Sequence, residues 1–108
     1  MATTSYRANV GQDASASYSS TAKIELVTEN QNFVGAQGAT IFCLSTQDGK
    51  LEINYIDLNG NSSLLHTEDC IADDLKVVDL SFRVPSFSIE FTPTAATAGT
   101  VTVGAYTY

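Results

Sequence analysis

From Ala39 to Tyr108 apolar and polar residues alternate, and turn-forming residues interrupt the run at Asp48-Gly49, Asn59-Gly60-Asn61, Pro85 and Gly99. A period of two puts successive side chains on opposite faces of an extended strand, whereas a helix needs apolar residues three and four apart. The chain is therefore expected to be all-β, with packing rather than a catalytic loop as the business of most of its residues. At 108 residues it is long enough for one core and too short for two.

The strands are read in order. Ala22, Ile24 and Leu26 point one way while Lys23 and Glu25 point the other, so regular structure is expected to begin at Ala22. Glu29 to Gly38 reads as a connection anchored by Phe33 and Val34. Thr40 to Ser45 is apolar on both faces in its middle, which predicts a central strand. Asp48-Gly49 supplies the residue types that a tight two-residue turn demands, which predicts a hairpin between Thr40–Ser45 and Lys50–Asp57. Asn59-Gly60-Asn61 ends the second of these strands, and Ser63 to His66 forms a short further one. Thr67 to Asp74, dense in Glu68, Asp69, Asp73 and Asp74, is read as a helical turn. Leu75 to Val84 forms a strand with Val78, Leu80 and Phe82 on one face, and Pro85, which lacks a backbone donor, belongs at a turn, bulge or edge. In Ser86 to Phe91 the core face is Phe87, Ile89 and Phe91. A loop from Pro93 to Gly99 leads into a last strand, Thr100 to Tyr108. About seven or eight strands at this spacing, with little or no helix, predict an antiparallel two-sheet β-sandwich that is jelly-roll-like.

The first 21 residues have another texture. Eight of them are Ser or Thr, and few large apolar side chains are available to hold them in a core. Residues 1–21 are therefore read as an N-terminal arm or edge segment and residues 22–108 as the sandwich domain. Tyr6 to Val10 suits a sheet edge, and Gly11 to Ser20 reads as a loop or arm. Two alternatives stand for the segment, an arm ordered by a partner or a first strand plus loop, because small polar residues alone do not offset their ordering entropy. Its candidate partner-binding residues are Tyr6, Arg7, Val10 and Tyr18.

Composition excludes several function classes. The net charge is −7, and the five basic residues, Arg7, Lys23, Lys50, Lys76 and Arg83, are scattered. Nucleic-acid binding needs cations clustered on one face, and adsorption to an anionic membrane needs them too, so neither partner is expected. The opening residues, Met1 to Tyr6, have no charged-then-apolar leader pattern, so synthesis in the cytoplasm is expected. Cys43 and Cys70 lack the spacing and companions of a zinc site and read as two reduced thiols or as a disulfide between strands. His66 is the only histidine and no nucleophile motif accompanies it, so no catalytic residue and no cofactor are assigned. Glu68-Asp69, Asp73-Asp74 and Asp57 to Asn61 offer oxygen ligands but lack the glycine and glutamate placement of a calcium loop, so no metal ligand is assigned. The five tyrosines suit either a sugar platform or a protein interface.

Ser45-x-x-Asp48-Gly49, Phe82-Arg83-Val84-Pro85-Ser86-Phe87-Ser88-Ile89-Glu90-Phe91 and Gly99-Thr100-Val101-Thr102-Val103 together resemble small β-sandwich accessory proteins of tailed-phage virions. The resemblance covers roughly Ala39 to Tyr108. It implies a non-enzymatic structural protein located on the virion. That would be a capsid decoration or cement protein, or the base of a head fibre, binding the major capsid protein or other virion proteins. It further implies a homo-oligomer, with a trimer favoured. A carbohydrate-binding β-sandwich module is the alternative, and a calcium-dependent adhesion or toxin-like β-domain is a third reading.

Overall fold

The computed structural model describes residues 11–27, 38–57, 59–80 and 86–107. These form eight strands: β1 (Gly11–Tyr18), β2 (Ile24–Val27), β3 (Ala39–Ser45), β4 (Gly49–Ile56), β5 (Ser62–Cys70), β6 (Lys76–Leu80), β7 (Ser86–Pro93) and β8 (Gly99–Thr107). They assemble into two four-stranded sheets of order β1-β8-β3-β6 and β2-β7-β4-β5, with every ladder antiparallel and no helix among the described residues. Pairing β1 with β8, β2 with β7, β3 with β6 and β4 with β5 is what results when one long hairpin is rolled up, so the jelly-roll-like sandwich is the fold.

Inward rows from the two sheets meet in a single core. One sheet contributes Tyr18, Ala39, Ile41, Cys43, Val78, Val101, Val103 and Ala105, and the other Leu51, Ile53, Cys70, Phe87, Ile89 and Phe91. Phe87, Ile89 and Phe91 face inward as their alternation predicts, as do Val78 and Leu80. Burying each large side chain contributes on the order of 2 kcal/mol, which makes this row-on-row contact the dominant favourable term. β3 lies between β8 and β6, as expected of a strand apolar on both faces.

The hairpin expected at Asp48-Gly49 does not form. β3 and β4 lie in different sheets, so the chain crosses the sandwich there. Gly49 is already the first residue of β4, and its lack of a side chain serves packing rather than a turn. A Cβ at Gly49 would lie 2.6 Å from Cε1 of Phe91 and clash with the rest of the ring edge. Asp48 fastens the crossing instead: its carbonyl accepts from Thr94 N–H (3.0 Å) and its carboxylate from Ala72 N–H (2.8 Å). The β3–β4, β5–β6 and β7–β8 connections are thereby tied together at one end.

The true tight hairpin joins β4 to β5. Gly60 adopts φ +85°, Asp57 and Gly60 close the turn through backbone bonds, and Asp57 Oδ1 accepts from the N–H groups of Asn59 and Asn61. β5 is also longer than the sequence suggests, running through Cys70 where a helical turn was expected from Thr67. Its partner β4 offers a ladder along the whole length, adjusted by a register shift between Ile53 and Asn54. As an edge strand it carries its charges at no burial cost, and the chain turns only beyond it, with Asp73 at φ 61°.

Within residues 1–21, the part described forms edge strand β1 across Gly11–Tyr18, where the sequence reads as a loop or arm. Ala14 and Ala16 pack against the core and Tyr18 is buried in it, so residues 11–18 belong to the sandwich. Tyr6, Arg7 and Val10 lie outside the described residues, as do Phe33, Val34, Phe82, Pro85 and Tyr108.

Gly49→Ala is expected to lower stability by about 2 kcal/mol in urea unfolding, the usual range for overpacking a filled core. Phe91→Leu combined with it should recover part of that loss, since the clash is with the ring; equal losses in single and double variants would count against the assignment.

Candidate functional site

Alternation that sends one row of β1, β8, β3 and β6 into the core sends the other row outward. On this outer face the ladder sets Asp13, Gly104, Phe42 and Val77 side by side across the four strands. The next row holds Ser15, Thr102 and Leu44. Tyr106 and Thr40 pair one step the other way, and Asp79 accepts from the Thr40 hydroxyl at the edge.

Gly104 is the organising residue. Without a side chain there, the Tyr106 ring folds back over the strand and its hydroxyl donates to Asp13 Oδ1 at 2.9 Å. A Cβ on Gly104 would stand 2.7 Å from that carboxylate oxygen and 3.3 Å from the Tyr106 ring. The same ring meets Phe42 edge-on, with centroids 5.6 Å apart and planes at 70°. Beside it the Ser15 and Thr102 hydroxyls bond at 2.9 Å. The bond to Asp13 holds the Tyr106 phenol above its ordinary value, because ionisation would place a second negative charge against the carboxylate.

A broad depression of about 710 Å³ opens on this face, lined among others by Asp13, Phe42, Leu44, Leu75 and Tyr106. Leu44, Leu75, Val77 and Tyr106 are each between 43% and 55% exposed. Single exposed apolar residues are ordinary, but a contiguous group on one sheet face is the mark of a surface that another molecule covers. A smaller hollow of about 250 Å³ lies at the sandwich end around Gln47, Asp48, Ala72, Thr94 and Ala95, where Asp48 is already engaged.

The opposite outer face differs in chemistry. Glu25, Glu90 and Glu52 stand in one row across β2, β7 and β4. Lys23 reaches Glu52 at 3.3 Å and Glu90 at 3.6 Å, and Asn54 donates to Glu90 at 2.9 Å. The hydrogen bond to Glu52 and the charge of Glu90 raise the Lys23 pKa. This face carries charge, part of it paired, together with an exposed aliphatic chain, Leu64, which stands opposite Asn54 and is 56% exposed.

Tyr18, among the candidate partner-binding residues, has its ring inside the fold, and its hydroxyl bonds the buried Ser45 Oγ at 2.7 Å. His66 lies half-buried on β5 with Nε2 2.8 Å from Glu68, which also faces Lys76 at 3.7 Å; the His66 hydrogen bond, then Lys76, hold the Glu68 carboxyl below its ordinary value. Cys43 and Cys70 are buried free thiols. Among the described residues no group of three or more His, Cys, Asp or Glu side chains converges as metal ligands would. In sequence, Thr40 to Ser45 reads as apolar on both faces and hence central, and Tyr106 as one of five tyrosines suited to a sugar platform or a protein interface. Asp13, Leu75 and Val77 carried no such signal.

No family model matches the chain, and no curated protein matches it. Solved structures do share its fold. The phage-related PBSX exported protein XepA superposes with a TM-score of 0.75 at 11% identity, covering 94% of this chain and 37% of XepA, so the chain spans little more than a third of that protein. PirA gives a TM-score of 0.64 at 8% identity over 89% of this chain and 93% of its own. A mutant of the carbohydrate-binding module CBM29-2, in complex with cellulohexaose, gives 0.51 at 11% identity over 92% and 78%. At such identities these likenesses establish the fold alone, a two-sheet β-sandwich.

Proposed function

We propose that this chain is a non-enzymatic structural component of a tailed-phage particle, a decoration or cement protein or the base of a spike. It docks onto the major capsid protein or another virion protein through the outer face of the β1-β8-β3-β6 sheet, and acts as a homo-oligomer, with a trimer favoured. The observation that carries the reading is the contiguous apolar group of Phe42, Leu44, Leu75, Val77 and Tyr106 on an otherwise acidic molecule. Aliphatic side chains with a polar rim suit the desolvated centre of a protein interface, where charged residues are depleted and aromatic rings enriched. The fold shared with phage-related XepA is in keeping with this setting. The opposite face, with its glutamate row and Lys23, is the more polar of the two and is better suited to water.

Carbohydrate binding is the second reading. It is favoured by one feature, the Phe42–Tyr106 corner with the Asp13 carboxylate beside it. Sugars stack on ring faces and need convergent hydrogen-bonding groups, however, and Leu44, Leu75 and Val77 supply neither. A glycan array separates the two: retained glycan signal that disappears in Tyr106→Ala would favour the module over the particle protein.

The particle reading is tested by mass spectrometry of density-purified particles from cells carrying the gene, where the protein should be found at a stoichiometric level. Its absence from intact particles would overturn the assignment. In co-sedimentation with particles that lack the protein, Leu44→Lys combined with Val77→Lys should lose at least tenfold in association. Both sites are exposed, so each substitution should change folding stability by no more than about 0.5 kcal/mol.

Tyr106 provides a spectroscopic reporter of the same face. Its folded-state pKa is raised, so the associated stabilisation is present below the unfolded phenol value and is lost as pH rises through the folded one. Absorbance titration at alkaline pH should show a late-ionising tyrosine component that moves down in Asp13→Asn and disappears in Tyr106→Phe.

A further inference from the structure

We propose that Cys43 and Cys70 form a reversible disulfide that staples the two sheets together. Cys43 sits in central strand β3 of one sheet and Cys70 ends edge strand β5 of the other. Their Sγ atoms stand 3.7 Å apart across the core, although the residues are 27 positions apart in sequence. A disulfide bond is about 2.05 Å long, so the sulfurs must close by roughly 1.7 Å. Both thiols are buried and free, with no metal-binding companions around them among the described residues.

The two cysteines are not equivalent. Cys43 is fully buried and paired on both sides, to Lys76 on β6 and to Val103 on β8. Cys70 is the last residue of an edge strand, followed by the exposed turn at Ile71 to Asp74, so local opening of this strand end, restrained by the Ala72 and Asp73 N–H bonds, brings its sulfur to solvent before that of central Cys43. Their mutual hydrogen bond lowers the Cys70 pKa against the opposing effect of burial, and raises that of Cys43, where burial adds to the effect. The edge position makes Cys70 the thiol that a small oxidant reaches first.

The oxidant is a small-molecule disulfide such as glutathione disulfide. Cys70 gives its proton to solvent and its thiolate attacks one sulfur of the oxidant; that S–S bond breaks and the departing thiolate takes up a proton. Cys43, deprotonated in turn, attacks Cys70 Sγ in the mixed disulfide and expels the second small thiol. Overall, two protein thiols and one small disulfide become one protein disulfide and two small thiols, and the protein loses two hydrogens. The new bond closes a loop that contains the whole β4–β5 hairpin.

The test uses the full chain in glutathione buffers of increasing oxidised fraction, followed by acid quench, alkylation of free thiols, intact mass and thermal melting. Both thiols should disappear together, leaving a monomer lighter by two hydrogens, with a melting temperature raised on the order of 10 °C and restored by dithiothreitol. Cys43→Ala and Cys70→Ala should each stop at one alkylatable thiol or a glutathione adduct, without that rise. The wild-type measurements need no substitution and so decide the matter even if a variant misfolds. Persistent adducts on wild-type protein, covalent dimers as the main product, thiols still alkylatable in fully oxidised buffer, or a cross-linked monomer that melts no higher would each overturn the proposal.

Discussion

The Phe91 ring lies against the bare backbone of Gly49, and much of the sandwich is arranged around that contact. Phe91 is fully buried on β7, and its ring also packs at a tilt against Tyr18 of β1, with centroids 5.8 Å apart. Tyr18 in turn bonds Ser45 at the end of β3, satisfying the one buried hydroxyl pair of this region. Three strands from both sheets thus meet at one aromatic side chain, and Tyr18 links a fourth to them. A side chain at position 49 would collide with the Phe91 ring from the neighbouring strand of the same sheet, and a close-packed core has no slack to absorb the shift. Position 49 is held to glycine by a neighbour distant in sequence rather than by its own backbone angles.

That distinction explains what was legible in the sequence and what was not. Alternation reveals the inward rows of β2, β6 and β7, because half-buried strands write their two faces directly into residue order. Asp48-Gly49 was misread because the same dipeptide suits a tight turn and a close approach of an aromatic ring, and only strand order separates the two. The working turn, Asn59-Gly60-Asn61, was seen as a strand end and not as the centre of the hairpin. β1 was faint because an edge strand facing a taper of the core needs only Ala14, Ala16 and Tyr18 inside, and its Ser-rich outer row resembles a loop. β5 was cut short for the converse reason, since its charges are tolerated on an edge exposed to water.

The candidate site was legible only residue by residue. Phe42 and Leu44 lie in a strand that reads as apolar on both faces, which points to a central strand and not to an exposed face. Their partnership with Asp13, Gly104 and Val77 arises from ladders that join residues as far apart in sequence as positions 13 and 104. The contrast between the two outer faces is likewise a product of topology. Glu25, Glu52 and Glu90 gather on one side with Lys23 among them and Leu64 exposed nearby, while Phe42, Leu44, Val77 and Tyr106 gather on the other, so the two faces differ in chemistry. Exposed ion pairs of this kind add little stability, and their effect is to keep one side hydrated and thereby orient whatever approaches the other.

The nested pairing of strands also governs the order in which the molecule can be made. β4 and β5 close across a short turn, but β3 must wait for β6, β2 for β7, and β1 for β8. During synthesis β1 emerges first, and the strand it pairs with is the last of the eight to leave the ribosome. Until then Tyr18 and the inward row of β3 have no completed sheet to cover them, and every incomplete chain exposes apolar surface that promotes aggregation. A nascent chain of this topology has no stable halfway house: β8 threads between β1 and β3, and its arrival converts two fragments of sheet into one.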